Sequence, residues 1–328
     1  MSLLESLTSG VSALRSFEKG LSVIGNNIAN VLTTGFKGST TTYSDNFSNL
    51  LKESAPSPAG GSGSNTPAEQ VGTGVQIAGI TGNFAQGTLS PTGNPTNLGI
   101  SGAGFFEVHD SINNLDYVTR AGDFRLDDQG YLVTSDGFRL QGLNDGTATY
   151  DATVVNGVLT YTATIIPPTA VGDLKIDFDI SIGNGLTNST GGLYTDAEVE
   201  ANRPTLQAFS IDQQGNIIAS LSNGDSFTRG QVLLQNFNDP TALTREGSNL
   251  FSGLSAAGPI GGAALTATNN SPGSNGLGRI QSGTIELSNV DLSEQFAELI
   301  TTQRAFQAGS RVITVSDTVL EDVINLKR

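Results

Sequence analysis

"IGNNIANVLTTGFKGS", residues Ile24 to Ser39, ends an apolar, helix-patterned segment with a cluster of neutral amides. Asn26, Asn27 and Asn30 lie close together, and threonines and glycines follow them. One interpretation is a helix C-terminus, where Asn and Gly tolerate left-handed backbone angles. The other is a surface that hydrogen-bonds another chain without carrying charge. Asn26 and Asn30 are four residues apart and therefore share a helix face, and the pattern alone leaves both interpretations open.

The segment before this cluster carries apolar residues at a spacing of seven: Leu7, Leu14, Leu21 and Ile28. A second series near the other end of the chain has the same spacing: Leu292, Leu299, Phe306, Ile313 and Leu320. Its companion position carries Phe296 and Ile324, with Gln303, Ser310 and Asp317 between them. These heptads predict helices near 3–30 and 290–326. Because both seams are interrupted, we expect the helices to pair with each other or with copies in other subunits.

The middle of the chain has a different composition. Of 41 glycines, only four (Gly10, Gly20, Gly25 and Gly309) lie in the two end segments. Short runs such as "FFEVHD" and "GQVLLQNF" alternate with Gly, Asn and Asp, which is typical of strands and turns. The fold class is therefore α+β and mostly β, with terminal helices forming a coaxial helical core and discontinuous β domains between them.

We predict four segments from these changes in composition. The terminal helical domain comprises 1–30 plus 288–328, and 31–70 connects it to the β region through a loop rich in Pro, Gly and Ser. The main β domain comprises 71–144 plus 203–287, and 145–202 is inserted as a small β domain. An internal echo joins the two halves of the main domain, since "FRLDDQGYLVTSDG" (124–137) and "FSIDQQGNIIASLSNG" (209–224) both indicate a strand, a turn and a strand.

Charge and composition exclude several functions. The formal net charge of −15 disfavours nucleic acid and anionic membranes as partners. Most of the negative charge lies in the middle, because residues 1–37 sum to +1 and 288–328 to −2. The chain has no cysteine and a single histidine, which leaves little material for catalytic triads or metal sites. We see no signal peptide and no run long enough to span a membrane.

Motifs that could carry chemistry are weak throughout. Asp127, Asp128 and Asp212 lack the spacing of a calcium loop, so we interpret them as hairpin turn residues. The G-x-G pairs in "GTGVQIAG" and "SGAGFF" do not extend to a dinucleotide fingerprint. We interpret His109 as an exposed residue at a strand end. No catalytic, cofactor or metal residues are predicted.

Several motifs together resemble the bacterial flagellar hook and rod family. They include "IGNNIANVLTTGFKGS", "GVQIAGITGNFAQGTLSPTGNPTNLGISGAGFFEV" and "YVTRAGDFRLDDQGYLVTSDGFRLQG". The C-terminal run "GTIELSNVDLSEQFAELITTQRAFQAGSRVITVSDTVLEDVINLKR" carries the same resemblance. It covers most of 1–144 and 228–328. The family resemblance implies coaxial terminal helices in a tubular core, outer β domains, flagellar export without a cleaved signal, and no enzyme activity.

Within that family, "SNVDLSEQF" and the ending "NLKR" most resemble the hook subunit. This implies a curved, flexible tube that acts as a universal joint between rod and filament. The implied partners are further copies of the chain, the hook cap, the distal rod and the hook–filament junction proteins. A distal rod subunit is the alternative within the family, and a secreted β-rich adhesin or binding module is the alternative outside it.

The predicted subunit interface combines the amides with the helical seams: Leu7, Leu14, Leu21, Asn26, Asn27, Ile28, Asn30, Leu292, Phe296, Leu299, Phe306, Ile313 and Leu320. Neutral amides can exchange partners as subunits slide, which fixed ion pairs do less readily. We expect the terminal segments to be disordered in the free monomer and to order on assembly.

Overall fold

The computed structural model describes residues 3–54, 65–144, 146–155, 158–176, 206–222 and 224–326. The chain forms two compact units. The helical unit comprises residues 1–31, 37–83 and 290–328, and the β unit comprises 32–36 and 84–289. Strands outnumber helices in both length and number among the described residues, which confirms the predicted α+β, mostly β class.

Two long helices dominate the helical unit, α1 (Leu3–Ala29) and α2 (Leu292–Leu326), close to the predicted bounds. They are antiparallel: Ser6 and Ser316 share a hydrogen bond of 3.0 Å near one end, and Asn27 contacts Gln295 at the other. The unit also contains β1 (Ser39–Asp45), β2 (Ser48–Lys52), β3 (Glu69–Gly72) and β4 (Val75–Gly82). These strands form two antiparallel pairs, β1 with β4 and β2 with β3.

Glycine lets β1 pack closely on α1. A Cβ at Gly20 would collide with the Tyr43 hydroxyl oxygen, so a larger residue there would force the Tyr43 ring to move. The Tyr43 ring also meets Phe17 edge to face, with 5.8 Å between centroids. Nearby, Ser16 Oγ donates a hydrogen bond to the Val75 carbonyl. The β1–β4 pair therefore belongs to the helical unit.

The β unit contains eighteen described strands, for which the bounds follow in chain order: β5 (Leu89–Pro91), β6 (Leu98–Ser101), β7 (Phe105–Asp110), β8 (Leu115–Thr119), β9 (Arg125–Leu126), β10 (Leu132–Val133), β11 (Arg139–Leu143), β12 (Thr147–Val155), β13 (Val158–Ile166), β14 (Val171–Asp173), β15 (Leu206–Ile211), β16 (Asn216–Leu221), β17 (Ser226–Val232), β18 (Leu234–Gln235), β19 (Thr244–Gly247), β20 (Leu250–Ser252), β21 (Arg279–Ser282) and β22 (Thr284–Glu286). Single helical turns lie at Pro240–Ala242, Leu254–Ala257 and Ala267–Asn270.

Twelve of these strands form one antiparallel sheet, whose main path runs in the order β15-β16-β17-β11-β7-β8-β20-β19. Strand β7 lies near its centre, and its side chains alternate between two apolar clusters. Phe106 belongs to the main core with Phe124, with the two rings edge to face at 5.2 Å. Phe105 faces a second cluster of phenylalanines on the other side of the sheet: Phe84, Phe237 and Phe251.

The internal echo corresponds to two matching hairpin turns. Asp127 Oδ1 accepts hydrogen bonds from the backbone N–H groups two and four residues later, at 3.0 and 2.7 Å. Asp212 Oδ1 does the same at 2.9 and 2.8 Å. Gly130 and Gly215 follow at equivalent positions with φ of 85° and 79°. The interpretation of these aspartates as turn residues is confirmed.

Two of the predicted domain boundaries are wrong. Residues 71–83 were assigned to the β domain, but β4 pairs with β1 in the helical unit. Strand β14 was assigned to the insert 145–202, but it pairs with β11, and Leu174 beyond it is fully buried in the main core. The β pattern could not show either pairing, because a strand's partner is set by tertiary packing. The remainder of the predicted insert, 177–202, lies outside the described residues.

Candidate subunit interface

Asn27 is the buried member of the amide cluster. Its side chain is 2% exposed. Its Nδ2 donates to the Ser39 carbonyl at 2.7 Å and to Gln295 Oε1 at 2.9 Å, while its Oδ1 accepts from Ser39 N–H at 2.9 Å. One amide thus joins α1, the start of β1 and the first turn of α2. The hydrogen-bonding capacity that we predicted for an intersubunit contact is used inside the chain at this position.

Asn26 and Asn30 lie on the outer side of α1. Asn30 Nδ2 donates to the Asn26 carbonyl at 2.9 Å and to Asn26 Oδ1 at 3.0 Å, which confirms that the two share a face. The helix ends here, but among the described residues of this region the left-handed angle belongs to Gly35, with φ of 68°, and not to an asparagine. The interface role of Asn26 and Asn30 stays a prediction.

The end of the opening motif is anchored in the β unit. Gly35 N–H donates to the Glu286 carbonyl at 2.7 Å, and Asn249 Nδ2 donates to the Thr34 carbonyl at 2.7 Å. The Arg245 guanidinium lies over the buried ring of Phe36 at 5.1 Å. The segment "TTGF" (33–36) therefore bonds to both β22 and the β19–β20 hairpin, and we call it the tether. No feature of the sequence indicated this role.

A buried ion pair supports this tether. Arg120 Nη1 lies 3.2 Å from Glu286 Oε2, and both side chains are almost fully buried. Glu286 Oε1 also accepts the Gly87 N–H at 2.7 Å. Burial lowers the pKa of Arg120, while the Glu286 carboxylate acts in the opposite direction. The ion pair links β22 to Arg120, the residue that directly follows β8. Removing one partner would leave the other charge buried and uncompensated.

The helical seams account for the contact between α1 and α2. Eight of the predicted residues are half-buried in this pair: Leu7, Leu14, Leu21, Ile28, Leu299, Phe306, Ile313 and Leu320. Gly10 lies against Ile313, and Gly309 against Leu14. The seam is therefore used within one chain, and whether it also contacts copies stays a prediction.

The companion position of the C-terminal heptad is exposed in the single chain, so its predicted contact with other copies stays a prediction. Among the described side chains of α2, the buried ones are Gln295, Thr302 and Ser316, each of which lies three residues after a seam residue. Phe296 is 50% exposed, and Gln303, Ser310, Asp317 and Ile324 are exposed too. Gln295 is hydrogen-bonded to Asn27, and the small side chains of Thr302 and Ser316 allow the two helices to approach closely.

Helix α2 presents many large apolar side chains to its surroundings: Leu292, Phe296, Ile300, Val312, Val315, Val319, Ile324 and Leu326. The heptad analysis identified Leu292, Phe296 and Ile324 of this set and missed the others, because they lie outside a single seam. A helix that exposes this many large apolar side chains is suited to contact with another molecule. The β2–β3 pair adds exposed Phe47, Leu50 and Leu51 in the same unit.

Among the described residues of the β unit, one histidine and a buried glutamate lie near each other on β7. His109 Nδ1 lies 2.6 Å from Asp116 Oδ1 across β7 and β8, and its side chain is 23% exposed, less than predicted. Glu107, two residues earlier, is 7% exposed, and its Oε2 has no hydrogen-bond partner among the described residues. Burial, with a smaller effect from Asp116, raises the pKa of Glu107 to about 8.

Among the described residues, no group of three or more His, Asp or Glu side chains could hold a metal ion. In the same part of the chain, no helix combines the length and apolarity needed to cross a membrane.

Three family models match this chain. The C-terminal model of flagellar basal body rod FlgEFG proteins matches residues 281–326, and the D1 domain model of flagellar hook protein FlgE/F/G matches 99–219. The flagella basal body rod protein model matches residues 7–37. The first and third cover most of the two helices, and the second covers half of the β unit's chain length.

Curated relatives match along the whole chain. The flagellar basal-body rod protein FlgG of Bacillus subtilis is 33% identical over 326 residues, covering 99% of this chain and 100% of the relative. The flagellar hook protein FlgE of Borreliella burgdorferi is 27% identical over 454 positions, covering 99% and 100%. FlgE of Salmonella typhimurium is 25% identical over 429 positions, covering 98% and 100%. The chain belongs to the flagellar hook and basal-body rod protein family.

Proposed function

We propose that this chain is the structural subunit of the flagellar hook and that copies of it polymerise into a curved, flexible tube. The observation that carries polymerisation is the set of large apolar side chains that α2 leaves exposed. Burial of apolar surface stabilises association by roughly 25 cal/mol per Å². A monomer gains nothing from these side chains, whereas a tube of packed helices covers them.

The neutral amides complete this surface. Asn26 and Asn30 stand on the outer side of α1, and their hydrogen bonds to each other are exposed. An exposed amide pair can exchange its internal bond for one to a neighbouring copy at little cost. The subunit contacts of the proposed tube therefore combine two contributions. Buried apolar area stabilises the association, and neutral hydrogen bonds can change partners when subunits slide.

The choice of the hook within the family rests on the sequence near α2. "SNVDLSEQF" (288–296) and the ending "NLKR" resemble hook subunits more than rod subunits. The residues of "SNVDLSEQF" also have structural roles: Asn289 Nδ2 donates to the Ala85 carbonyl, and Asp291 Oδ1 accepts from Ser293 N–H to cap the helix. This part of the proposal concerns the shape of the tube.

A distal rod subunit is the second candidate, and chain length favours it. The alignment with the rod protein FlgG spans 326 residues, almost the length of this chain of 328. The two hook alignments extend over 454 and 429 positions, so those hook proteins contain residues that this chain lacks. The rod candidate differs from the hook in one testable respect, since it forms a straight and stiff tube.

The remaining parts of the proposal follow from the family. The subunit is exported through the flagellum without a cleaved signal, lies outside the cell in the hook and carries no enzyme activity. Its partners are further copies of itself, the hook cap, the distal rod and the hook–filament junction proteins.

Deleting the gene and imaging the remaining basal bodies separates the candidates. The hook assignment predicts basal bodies with a complete rod and no hook, and purified full-length protein that polymerises into curved tubes. Basal bodies that lack the distal rod, together with straight tubes from the purified protein, would establish the second candidate instead. Normal hooks and rods after deletion would contradict both.

A further inference from the structure

The exposed face of α1 carries two cations without ion-pair partners among the described residues. Arg15 and Lys19 are four residues apart and lie on the same exposed face. They border a groove of about 640 Å³ between α1 and β4, which Ser12, Ser16, Val75 and Ile77 also line. Farther along this face come small and amide side chains, Ser22, Asn26 and Ala29.

A complementary face lies on α2. Asp317 and Glu321 are also four residues apart, exposed and without ion-pair partners among the described residues. Before them on the same stripe lie exposed neutral side chains, Gln307, Ser310 and Thr314. Along the chain, the stripe on α2 is first neutral and then acidic, while the face of α1 is first cationic and then neutral. In antiparallel helices these two orders can be matched, with acids opposite cations and neutral residues opposite neutral residues.

The two charged pairs cannot meet within one chain. The contacts Gly20–Thr302 and Ser6–Ser316 fix the register of the antiparallel helices, so Asp317 lies beside the first turns of α1. Lys19 is level with residue 303 instead, which is about fourteen residues or ~21 Å from Asp317 at ~1.5 Å per residue. The charges therefore remain apart in the monomer.

We propose that the cationic face of α1 docks against the acidic stripe of α2 in a neighbouring copy displaced by about two heptads, ~21 Å, along the helix axis. This inference rests on the proposed function, because it assumes a tube whose copies point the same way. The displacement places Lys19 opposite Asp317 and Arg15 opposite Glu321 in antiparallel helices. The residues seven positions after Lys19 and Arg15 on α1 are Asn26 and Ser22. The same displacement places Asn26 opposite Ser310 and Ser22 opposite Thr314.

No like charges meet in this arrangement. Glu18, the acidic residue beside the cations on α1, comes opposite the neutral Thr318 at the edge of the stripe. Arg311, the cation nearest the stripe on α2, comes opposite Gly25. The contact is heterologous, since one copy offers α1 and the other offers α2, and such contacts continue into open helical assemblies.

Cysteine crosslinking tests the register directly, because the natural chain contains no cysteine. The full-length variant Lys19→Cys with Asp317→Cys is assembled into tubes and oxidised. We expect a ladder of disulfide-linked dimers and larger species on a non-reducing gel, with no crosslinked monomer. The matched control is Lys19→Cys with Arg304→Cys, in which the second cysteine is exposed on another face of α2 and should give no ladder.

Charge reversal provides a second readout. Arg15→Glu with Lys19→Glu should reduce the polymerised fraction about tenfold or more, since like charges then face each other. Adding Asp317→Lys and Glu321→Lys should restore polymerisation, while the melting temperature of the monomer stays unchanged in every variant.

Each outcome of these experiments decides something. Tubes that form without the 19–317 crosslink, or that tolerate the unreciprocated reversal, would overturn the register and leave the proposed function standing. A crosslink between two Lys19→Cys copies would show a symmetric contact instead and would overturn the register too. Failure of the unmodified protein to form tubes would overturn the proposed function and this inference with it.

Discussion

The helical unit and the β unit bury their apolar side chains to different degrees. In the β unit, Leu98, Phe106, Val108, Leu132 and Leu140 are completely buried in one continuous cluster. In the helical unit, the side chains buried between α1 and α2 include Gln295, Thr302 and Ser316, while Phe296 and Ile300 are half exposed. The β unit buries a continuous apolar core within one chain, whereas α2 of the helical unit leaves large apolar side chains exposed to other molecules.

This difference teaches how one chain can be both stable and able to assemble. A core at close-packed density gives the β unit a stability independent of neighbours. Helices that derive their stability mainly from packing depend on how much of their surface is covered. Of the exposed large hydrophobic side chains among the described residues, thirteen lie in the helical unit and nine in the β unit, so we expect assembly to affect the helical unit more.

Removing one phenyl ring from each unit should give opposite results, and this is the largest effect that we expect. Phe106→Ala deletes a fully buried ring that packs on Phe124 and should destabilise the monomer by about 3–5 kcal/mol. Phe296→Ala, its matched control, should leave the melting temperature of the monomer nearly unchanged but reduce polymerisation. Thermal unfolding and sedimentation of assembled material measure the two effects. A large loss of monomer stability from Phe296→Ala would show that the helical unit is complete by itself.

Gly35→Ala tests the tether of the opening motif. Its φ of 68° already disfavours a side chain, and an added Cβ would lie 2.5 Å from Ala121 N. We expect a loss of roughly 1–3 kcal/mol and easier proteolysis after residue 31. Gly93→Ala is the matched control, because φ there is 75° but the space around the Cβ is open. Equal effects of the two substitutions would mean that backbone strain alone matters and that the contact with Ala121 does not.

The buried carboxyl of Glu107 should make the stability of the β unit depend on pH. Its pKa rises from 4.5 to about 8 on folding, so the folded state favours the protonated form. This contribution is fully present below about pH 4.5 and is lost as pH rises through 8, by at most about 1.4 kcal/mol per pH unit. Glu107→Gln should therefore raise the melting temperature at pH 9 more than at pH 5.

Glu69→Gln, at an exposed glutamate of β3, supplies the matched control and should have little effect at either pH. If Glu107→Gln shifted the melting temperature equally at both pH values, ionisation of Glu107 would not be the cause.

The smallest effect on the monomer should come from the loop between β2 and β3. Residues 55–64 lie outside the described residues, and loop closure costs only about 0.6 kcal/mol more per doubling of length. We expect deletion of Ser54 to Glu69 to leave the melting temperature nearly unchanged and to permit polymerisation. If the loop packs between subunits, the resulting tubes should bend more easily or curve differently in electron micrographs. Unaltered tube shape would show that it is only a linker.

The sequence predicted the elements of this molecule better than their partners. The heptads located both helices to within two residues, and the Asp127 and Asp212 turns followed from local chemistry. The assignments of β4 and β14 failed because each pairs with a strand distant in sequence, and alternation of apolar residues does not identify a partner. Such pairings depend on the packing of the whole unit.

At the candidate site too, the sequence predicted the local geometry of the amide cluster but not its contacts with residues distant in sequence. The spacing of Asn26 and Asn30 correctly placed them on one face, since helix geometry is local. It could not show that Asn27 is buried against Gln295 or that Gly35 is bonded to Glu286, because those partners lie more than 250 residues away in sequence. Contacts within the chain do not explain the exposed Phe296, and its predicted contact with another copy stays a prediction.

Amide hydrogen exchange tests the central claim, that the helical unit is completed by other copies, most directly. The exchange rates of α1 and α2 are compared with those of the β unit in the dilute monomer and in assembled tubes. We predict that 1–30 and 288–328 exchange rapidly in the monomer and become strongly protected in the tube, while the β unit is equally protected in both. Strong protection of both helices in the dilute monomer, unchanged on assembly, would contradict the account.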